Sequence, residues 1–199
     1  MKSVLISIRP QGCEKITSGE KTIEVRKSAP KEVPFKAYIY CTKDKYEWLY
    51  RVDNNGYGKP QSWHGKVIGE FVCDKVDKII PLRHTYYNYI GLPIANVIEY
   101  GIWNDDLAQM CLKKKEIDNY GKGKTLYGWH ISDLKIYDRP KELSEFKKTK
   151  DKIAMTCGMH ARNGLCRAID HEELCDNIKC CFKTPRPPQS YMYVEELEK

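Results

Sequence analysis

The stretch "ITSGEKTIEVRKSAP" at residues 16–30 combines a glycine turn, a short β-branched run and several charged side chains. Its segment "KTIEVR" (21–26) predicts a strand with apolar residues on one face and Thr22, Glu24 and Arg26 on the other. Regular alternation would place the Lys21 side chain on the opposite face from Glu24 and Arg26. Lys21 reaches these two residues only if the turn at 18–20 swings it round. Such a group can bind phosphate or transfer protons. The alternative is an exposed, salt-bridged strand.

The flanking sequence predicts a mixed sheet or small barrel. Strands are expected at 4–8 and 36–42, and longer strands at 65–80 and 126–138. A short helix is expected between Pro10 and Gly19, and two more over 104–120. Residues 83–91 are interpreted as a loop, and residues 43–64 as an insertion with a possible hairpin tip at "DNNG" (53–56). Strands do not alternate regularly with long helices, which argues against a doubly wound parallel sheet.

Composition limits the possible functions without choosing one. The chain has 199 residues, 41% hydrophobic and 31% charged, which suits one folded domain with an extension. Its net charge of +7 favours polyanions or an acidic surface, or serves solubility alone. No run approaches the roughly 18 apolar residues of a membrane helix. The N-terminus does not match a signal peptide, so we expect a cytoplasmic protein without a membrane partner.

Three segments carry a resemblance to a known family. They are "SIRPQGCEKITSGEKTIEVRKSAPK" (7–31), "GKVIGEFVCDKV" (65–76) and "LYGWHISDLKIYD" (126–138). The first contains the pattern G-x-K-x-x-E-x-R at Gly19, Lys21, Glu24 and Arg26. Together they resemble the ASCH domain family of the PUA-like superfamily. The resemblance implies a mostly β (α+β) barrel with short helices over residues 1–147, including the insertion near 43–64. The layout is similar to ASCH proteins of phages and prophages, which implies a bacterial host or phage-infected cell.

The resemblance also implies a function. ASCH barrels have a positively charged cleft thought to receive RNA or a modified nucleobase. One branch hydrolyses N4-acylated cytidines with a lysine, a threonine and a glutamate. The lysine matches Lys21, but Glu24 stands at the threonine position, and the third residue has no clear match, although Glu116 lies in that region.

The sequence therefore predicts that the chain binds RNA or a modified nucleotide. Lys21, Arg26 and Lys27 would contact phosphate, and Glu24 would orient them. The alternative is a nucleoside amidohydrolase or ribonuclease in which Lys21 and Glu24 form an acid–base pair. A second alternative is a protein-binding phage factor.

Two further features could contribute to a nucleic-acid site. Glu70 lies in an apolar row of its strand, and it either faces the cleft, holding Arg26 or a ligand, or pairs with a nearby lysine or arginine. Tyr86, with Tyr87 and Tyr89, could form a stacking platform for bases, or these rings could simply pack against the protein. Trp129, on the closing strand, is expected in the core.

The C-terminal segment, residues 148–199, is predicted to be a cysteine-rich extension. Of nine cysteines, five fall between 157 and 181, which in a reducing compartment suggests metal. The predicted cofactor is a structural zinc held by Cys157, Cys166, Cys175 and Cys181, with Cys180 competing for the last place. Free thiols and disulfides are the alternatives. The final segment "SYMYVEEL" (190–197) alternates like a strand and is expected to pack back on the barrel. The oligomeric state stays open.

Overall fold

The computed structural model describes residues 1–43, 50–51, 61–149 and 186–197. In chain order the elements of this part are β1 (Lys2–Ile8), α1 (Pro10–Thr17), β2 (Ile23–Arg26), β3 (Phe35–Cys41), β4 (Tyr50–Arg51), β5 (Gln61–Ser62), β6 (Lys66–Cys73), β7 (Val76–Ile79), β8 (Pro81–Tyr87), β9 (Pro93–Tyr100), α2 (Asn104–Met110), α3 (Lys114–Gly121), β10 (Leu126–His130), β11 (Ser132–Glu142) and β12 (Tyr191–Val194). A 3-10 turn at Leu143–Glu145 follows β11. The expected class, mostly β with short helices, is confirmed.

The chain divides into two compact units. The first comprises Met1–Pro10, Lys36–Glu70 and Lys135–Lys199, and the second comprises Gln11–Phe35 and Phe71–Leu134. Strands β11, β6, β3, β1 and β12 form a five-stranded sheet in that order, in which β12 runs antiparallel to β1, and β4 pairs separately with β5. The core of this unit consists of apolar and aromatic side chains from the sheet and its C-terminal flank: Leu5, Tyr38, Tyr40, Val67, Phe146 and Val194.

The second unit contains a three-stranded sheet in the order β2-β10-β7, the hairpin β8–β9, and the helices α2 and α3. The apolar face of β2, Ile23 and Val25, lies in this unit's core, as the alternation of the sequence predicts. Tyr100 is buried there and donates a hydrogen bond to the Lys124 carbonyl. A Cβ at Gly121 would collide with the Tyr100 hydroxyl, so α3 requires glycine at this position.

Three predicted elements differ from the observed ones. The predicted loop at 83–91 is wrong for residues 83–87, which belong to a strand paired with 93–100, and right for residues 88–91, which form the turn. The predicted strand at 65–80 is two strands, β6 and β7, and that at 126–138 is also two, β10 and β11. Backbone bonds fix both breaks: Lys75 accepts a bond from the His130 N–H, and Thr22 accepts one from the Ile131 N–H.

Several expectations fall on residues outside the described ranges. The hairpin tip at 53–56 and the four predicted zinc ligands are among them, so the zinc site stays a prediction. The domain boundary at 147 and the insertion also stay predictions. The strand pairing of the described residues closes no sheet on itself, so the closed barrel is not confirmed. No helix in the described part of the chain is long and apolar enough to cross a membrane.

Candidate functional site

The side chains of Lys21, Glu24 and Arg26, here called the triad, meet in the second unit. The Lys21 ammonium lies 3.3 Å from one oxygen of Glu24, and the Arg26 Nε lies 3.0 Å from the other. The Arg26 contact is an ion pair rather than a well-aligned hydrogen bond. The three residues are only 6%, 8% and 6% exposed. The exposed, salt-bridged strand of the alternative interpretation is therefore wrong.

The backbone before β2 explains how Lys21 joins the other two. Gly19 has a left-handed φ of 79°, which ends α1 and turns the chain. The Lys21 N–H then bonds the Lys15 carbonyl, and the Thr22 N–H bonds the Gln109 carbonyl. Regular strand geometry begins only at Ile23, so strand parity does not govern where the Lys21 side chain points.

The Lys21 ammonium has a second partner at the end of α2. It donates a 2.7 Å hydrogen bond to the carbonyl oxygen of Met110, the last residue of that helix. The last carbonyls of a helix lack partners within the helix and attract cations. Lys21 is thereby held by a carboxylate and a carbonyl together, which fixes its position within the triad.

Tyr120 lies next to the triad, and the sequence reasoning missed it. The Lys27 ammonium lies 4.7 Å from the centroid of the Tyr120 ring, and the Lys27 backbone hydrogen-bonds the phenol oxygen. Burial raises the pKa of Tyr120; the Arg26 guanidinium opposes that rise and the Glu24 carboxylate adds to it. The ring is nevertheless 38% exposed, so it borders the triad on a solvent-accessible side. No sequence signal joins it to the quoted stretch, because it comes from the end of α3.

Two cations of the triad contact one carboxylate. Lys21 and Arg26 bring two positive charges and Glu24 one negative charge, and Lys27 adds a further cation beside Tyr120. Burying charge is costly unless it is paired, so an incoming anion would stabilise two buried cations that share one carboxylate. The geometry therefore suits a phosphate or another oxyanion.

Glu70 has partners in the first unit. It accepts a 2.6 Å hydrogen bond from the Tyr137 hydroxyl, and the Lys36 ammonium lies 3.7 Å from its other oxygen. Lys36 also contacts Glu196 at 2.5 Å. We call Lys36, Glu70, Tyr137 and Glu196 the Glu70 cluster. Burial and the adjacent Glu70 both raise the pKa of Tyr137. Lys36 is thus the nearby lysine that one of the two sequence interpretations expected Glu70 to pair with. Arg26, the partner in the other interpretation, lies in the second unit and contacts Glu24.

The aromatic candidates separate into two kinds. Trp129 is fully buried and packs edge-on against Phe35, with ring centroids 5.0 Å apart, so the core prediction is confirmed. Tyr86, Tyr87 and Tyr89 are exposed on the β8–β9 hairpin. Their role as a stacking platform stays a prediction.

Two further groups bear on catalysis. The Glu116 side chain accepts a hydrogen bond from the Lys113 N–H, so it caps the start of α3. Tyr120, next to the triad, is near the other end of that helix. Burial raises the pKa of the Cys73 thiol to about 12, which makes it a poor nucleophile at neutral pH.

No protein-family model and no curated protein matches this sequence. Among solved structures, an ASCH protein from Zymomonas mobilis superposes with a TM-score of 0.51 over 98% of this chain and 89% of its own, at 17% identity. The chain has the ASCH fold. A tyrosine-to-phenylalanine variant and a serine-to-alanine variant of that protein give TM-scores of 0.49 at 15% identity. They cover 98% of this chain and 92% and 89% of their own, respectively.

Proposed function

We propose that this chain is an ASCH family member that binds the phosphate of RNA or of a modified nucleotide at the triad. The observation that carries the proposal is that two buried cations, Lys21 and Arg26, converge on the single carboxylate of Glu24. Lys21 and Arg26 have little contact with water, so a phosphate would stabilise them more than it stabilises exposed lysines. The ASCH fold supports the proposal by analogy only.

Each residue has a distinct part in the proposal. Arg26 and Lys21 attract the phosphate, and Lys27 extends the positive charge toward solvent. Glu24 holds the two buried cations in place, or accepts a hydrogen bond from a base amino group. Tyr120 offers an exposed ring beside the phosphate position, where a base or ribose can pack. The partner, in this proposal, is RNA or a nucleotide in the cytoplasm of a bacterial host or phage-infected cell.

A salt-dependent binding titration tests the proposal. The probe is a fluorescent single-stranded RNA of mixed sequence, followed by anisotropy. We expect binding at low salt, and a loss of about tenfold or more in Lys21→Met and in Arg26→Met. The slope of log affinity against log salt should also fall by about one in each variant.

The matched control is Lys66→Met. Lys66 is a half-buried lysine of the first unit that pairs with Glu142 at 2.7 Å, and its variant should bind as the wild type does. Circular dichroism and urea unfolding check that each variant is folded. Unchanged affinity in folded Lys21→Met and Arg26→Met, or no RNA binding by the wild type at low salt, would overturn the proposal.

The second candidate is a hydrolase, favoured by the buried Lys21–Glu24 pair at 3.3 Å. In that case Lys21 and Glu24 would exchange protons with an acylated nucleoside or with RNA. The Lys21→Met variant separates the two functions. Loss of turnover with RNA affinity retained would favour the enzyme, whereas parallel loss of affinity would favour the binding protein.

Zinc at Cys157, Cys166, Cys175 and Cys181 is a separate proposal, based on the sequence alone. Elemental analysis of the reduced protein tests it. About one zinc per chain is expected, and its absence would remove the proposal without touching the triad.

A further inference from the structure

We propose that the β8–β9 hairpin and the start of α3 form a stacking surface that binds bases of single-stranded RNA next to the phosphate at the triad. This inference rests on the proposed function and extends it from one phosphate to a longer strand. The surface is defined as the hairpin at residues 81–100 and the lysine run at 113–115. It lies within the second unit, as the triad does.

The hairpin presents aromatic rings to solvent. Its strands pair with each other from Pro81↔Tyr100 to Tyr87↔Pro93, with an irregularity between Tyr86 and Tyr87. It is a two-stranded sheet, so no third strand covers its edges among the described residues. Tyr87 is 61% exposed and Tyr89 99% exposed. Large aromatic side chains exposed together on one hairpin are candidates for an interaction site.

Hydrogen bonds made by Asn88 hold the backbone of the turn that carries Tyr89. Asn88 accepts hydrogen bonds through its side-chain oxygen from the backbone N–H groups of Ile90 and Leu92. Its own N–H bonds the Leu92 carbonyl, and its carbonyl accepts from the Gly91 N–H. Four bonds within five residues define one conformation. Tyr89 is thus presented at the tip of an ordered turn, so binding a base would order little additional backbone.

Helix α3 connects this surface to the triad. At its start, the Lys114 ammonium contacts Glu99 of β9 at 2.6 Å, and Tyr86 is close enough to act on it electrostatically. Near its end, Tyr120 lies beside Arg26 and Glu24. Eight helical residues span about 12 Å at 1.5 Å per residue. A short strand with a phosphate at the triad could therefore place flanking nucleotides along α3 and onto the hairpin.

The chemistry of the surface favours nucleic acid over protein as the occupant. Aromatic rings interleaved with cations are the composition of single-strand binding grooves. Here the cations are Arg83 on β8 and Lys113 and Lys115 at the start of α3, whereas Lys114 is already paired with Glu99; the chain as a whole carries +7. A polyanion complements that charge. An aromatic surface serving a protein partner or a second copy is the competing outcome of the test.

The experiment compares two double variants on two ligands. One replaces both exposed rings by serine (Tyr87→Ser with Tyr89→Ser), and the other keeps the rings (Tyr87→Phe with Tyr89→Phe). The ligands are cytidine monophosphate and a single-stranded RNA of about twelve nucleotides. We expect the serine variant to lose about tenfold or more in RNA affinity, since stacking on one ring contributes a factor of about five or more. The phenylalanine variant should retain RNA affinity, and both should bind the mononucleotide as the wild type does.

The outcomes separate this inference from the proposed function. If the wild type binds neither ligand, both the proposed function and this inference are overturned. If Lys21→Met loses RNA affinity while the serine variant keeps it, the inference alone is overturned. Sedimentation of the free proteins gives the competing result: a wild-type dimer that the serine variant dissociates, with RNA affinity unchanged, would assign the hairpin to self-association.

Discussion

The triad and the Glu70 cluster use the same kinds of side chain but differ in their charge balance. In the triad, two cations share one carboxylate, and all three side chains are nearly inaccessible. In the Glu70 cluster, one cation, Lys36, contacts two carboxylates, Glu70 and Glu196. Glu70 also accepts a neutral donor, the Tyr137 hydroxyl.

This difference indicates which of the two can take an anion. The Glu70 cluster supplies Lys36 with two carboxylates. Burial lowers the pKa of Lys36, but the hydrogen bond to Glu196 and the Glu70 charge outweigh that effect and raise it. Such a cluster already contains its counterions. In the triad, two cations contact one carboxylate, and the anion that we propose there would add a second negative charge. Glu70, a predicted nucleic-acid contact, has Tyr137 and Lys36 as partners, whereas Glu24 holds the two cations to which we assign the phosphate. The role of Glu70 in binding nucleic acid stays a prediction.

Removing the central carboxylate should affect the triad most. Glu24→Gln leaves two buried cations without their counterion, so we expect a loss of about 3–5 kcal/mol in the free energy of unfolding. Glu70→Gln is the matched change. Its amide still accepts from Tyr137 and Lys36 is still paired with Glu196, so we expect about 1 kcal/mol. Urea unfolding of both variants measures the difference, and equal losses would refute the contrast.

Inorganic phosphate should stabilise the protein through the triad. At ten times its dissociation constant, phosphate adds about 1.4 kcal/mol to the free energy of unfolding if it binds only the folded state. We expect this gain in the wild type and in Glu70→Gln, and its loss in Arg26→Met. Thermal unfolding at constant ionic strength, with chloride in place of phosphate, measures the effect. A gain that persists in Arg26→Met would place the anion elsewhere.

A third carboxylate shows how much the burial of the triad matters. Asp77 lies 2.6 Å from His130 Nε2 and 3.0 Å from the Lys75 ammonium, but its side chain is 45% exposed. Partial burial raises the pKa of Asp77, and the hydrogen bonds from His130 and Lys75 outweigh that effect and hold it below its usual value. The carboxylate therefore favours folding above the unfolded-state pKa of about 3.9, and this contribution disappears as the pH falls through the lower folded-state value.

The expected effect of Asp77 is the smallest of the three. Because the pair is exposed, Asp77→Asn should cost no more than about 1 kcal/mol at pH 6. Urea unfolding of the wild type and the variant at pH 6 and at pH 2.5 measures it. The difference between the two proteins should shrink at the lower pH, and a difference that is independent of pH would show that the carboxylate charge is not its origin.

Local pattern was sufficient for part of this molecule. Alternation along 21–26 correctly predicted that Ile23 and Val25 face the core. The pattern G-x-K-x-x-E-x-R identified the three triad residues as candidates for one site. Strand alternation put the Lys21 side chain on the wrong face, because regular strand geometry begins only at Ile23. No local rule predicts that the Met110 carbonyl, at the end of a distant helix, fixes Lys21.

The remaining differences have the same origin. The hairpin was missed because "RHTYYNY" (83–89) has no buried face, so it lacks the alternation that predicts strands. Glu70 was ambiguous because its partner Tyr137 comes from another strand. Sequence periodicity shows which side of a strand is apolar, but long-range pairing decides which polar groups meet.

The bond from Lys21 to Met110 gives the triad a mechanical connection to a neighbouring helix. The residue after Met110, Cys111, is left-handed at φ 52° and ends α2, and its thiol is partly accessible. An anion that draws the Lys21 ammonium toward itself weakens that ammonium's hold on the helix end. With an anion bound as proposed, the end of α2 would fray more often, and the reactivity of the Cys111 thiol would then report whether the triad is occupied.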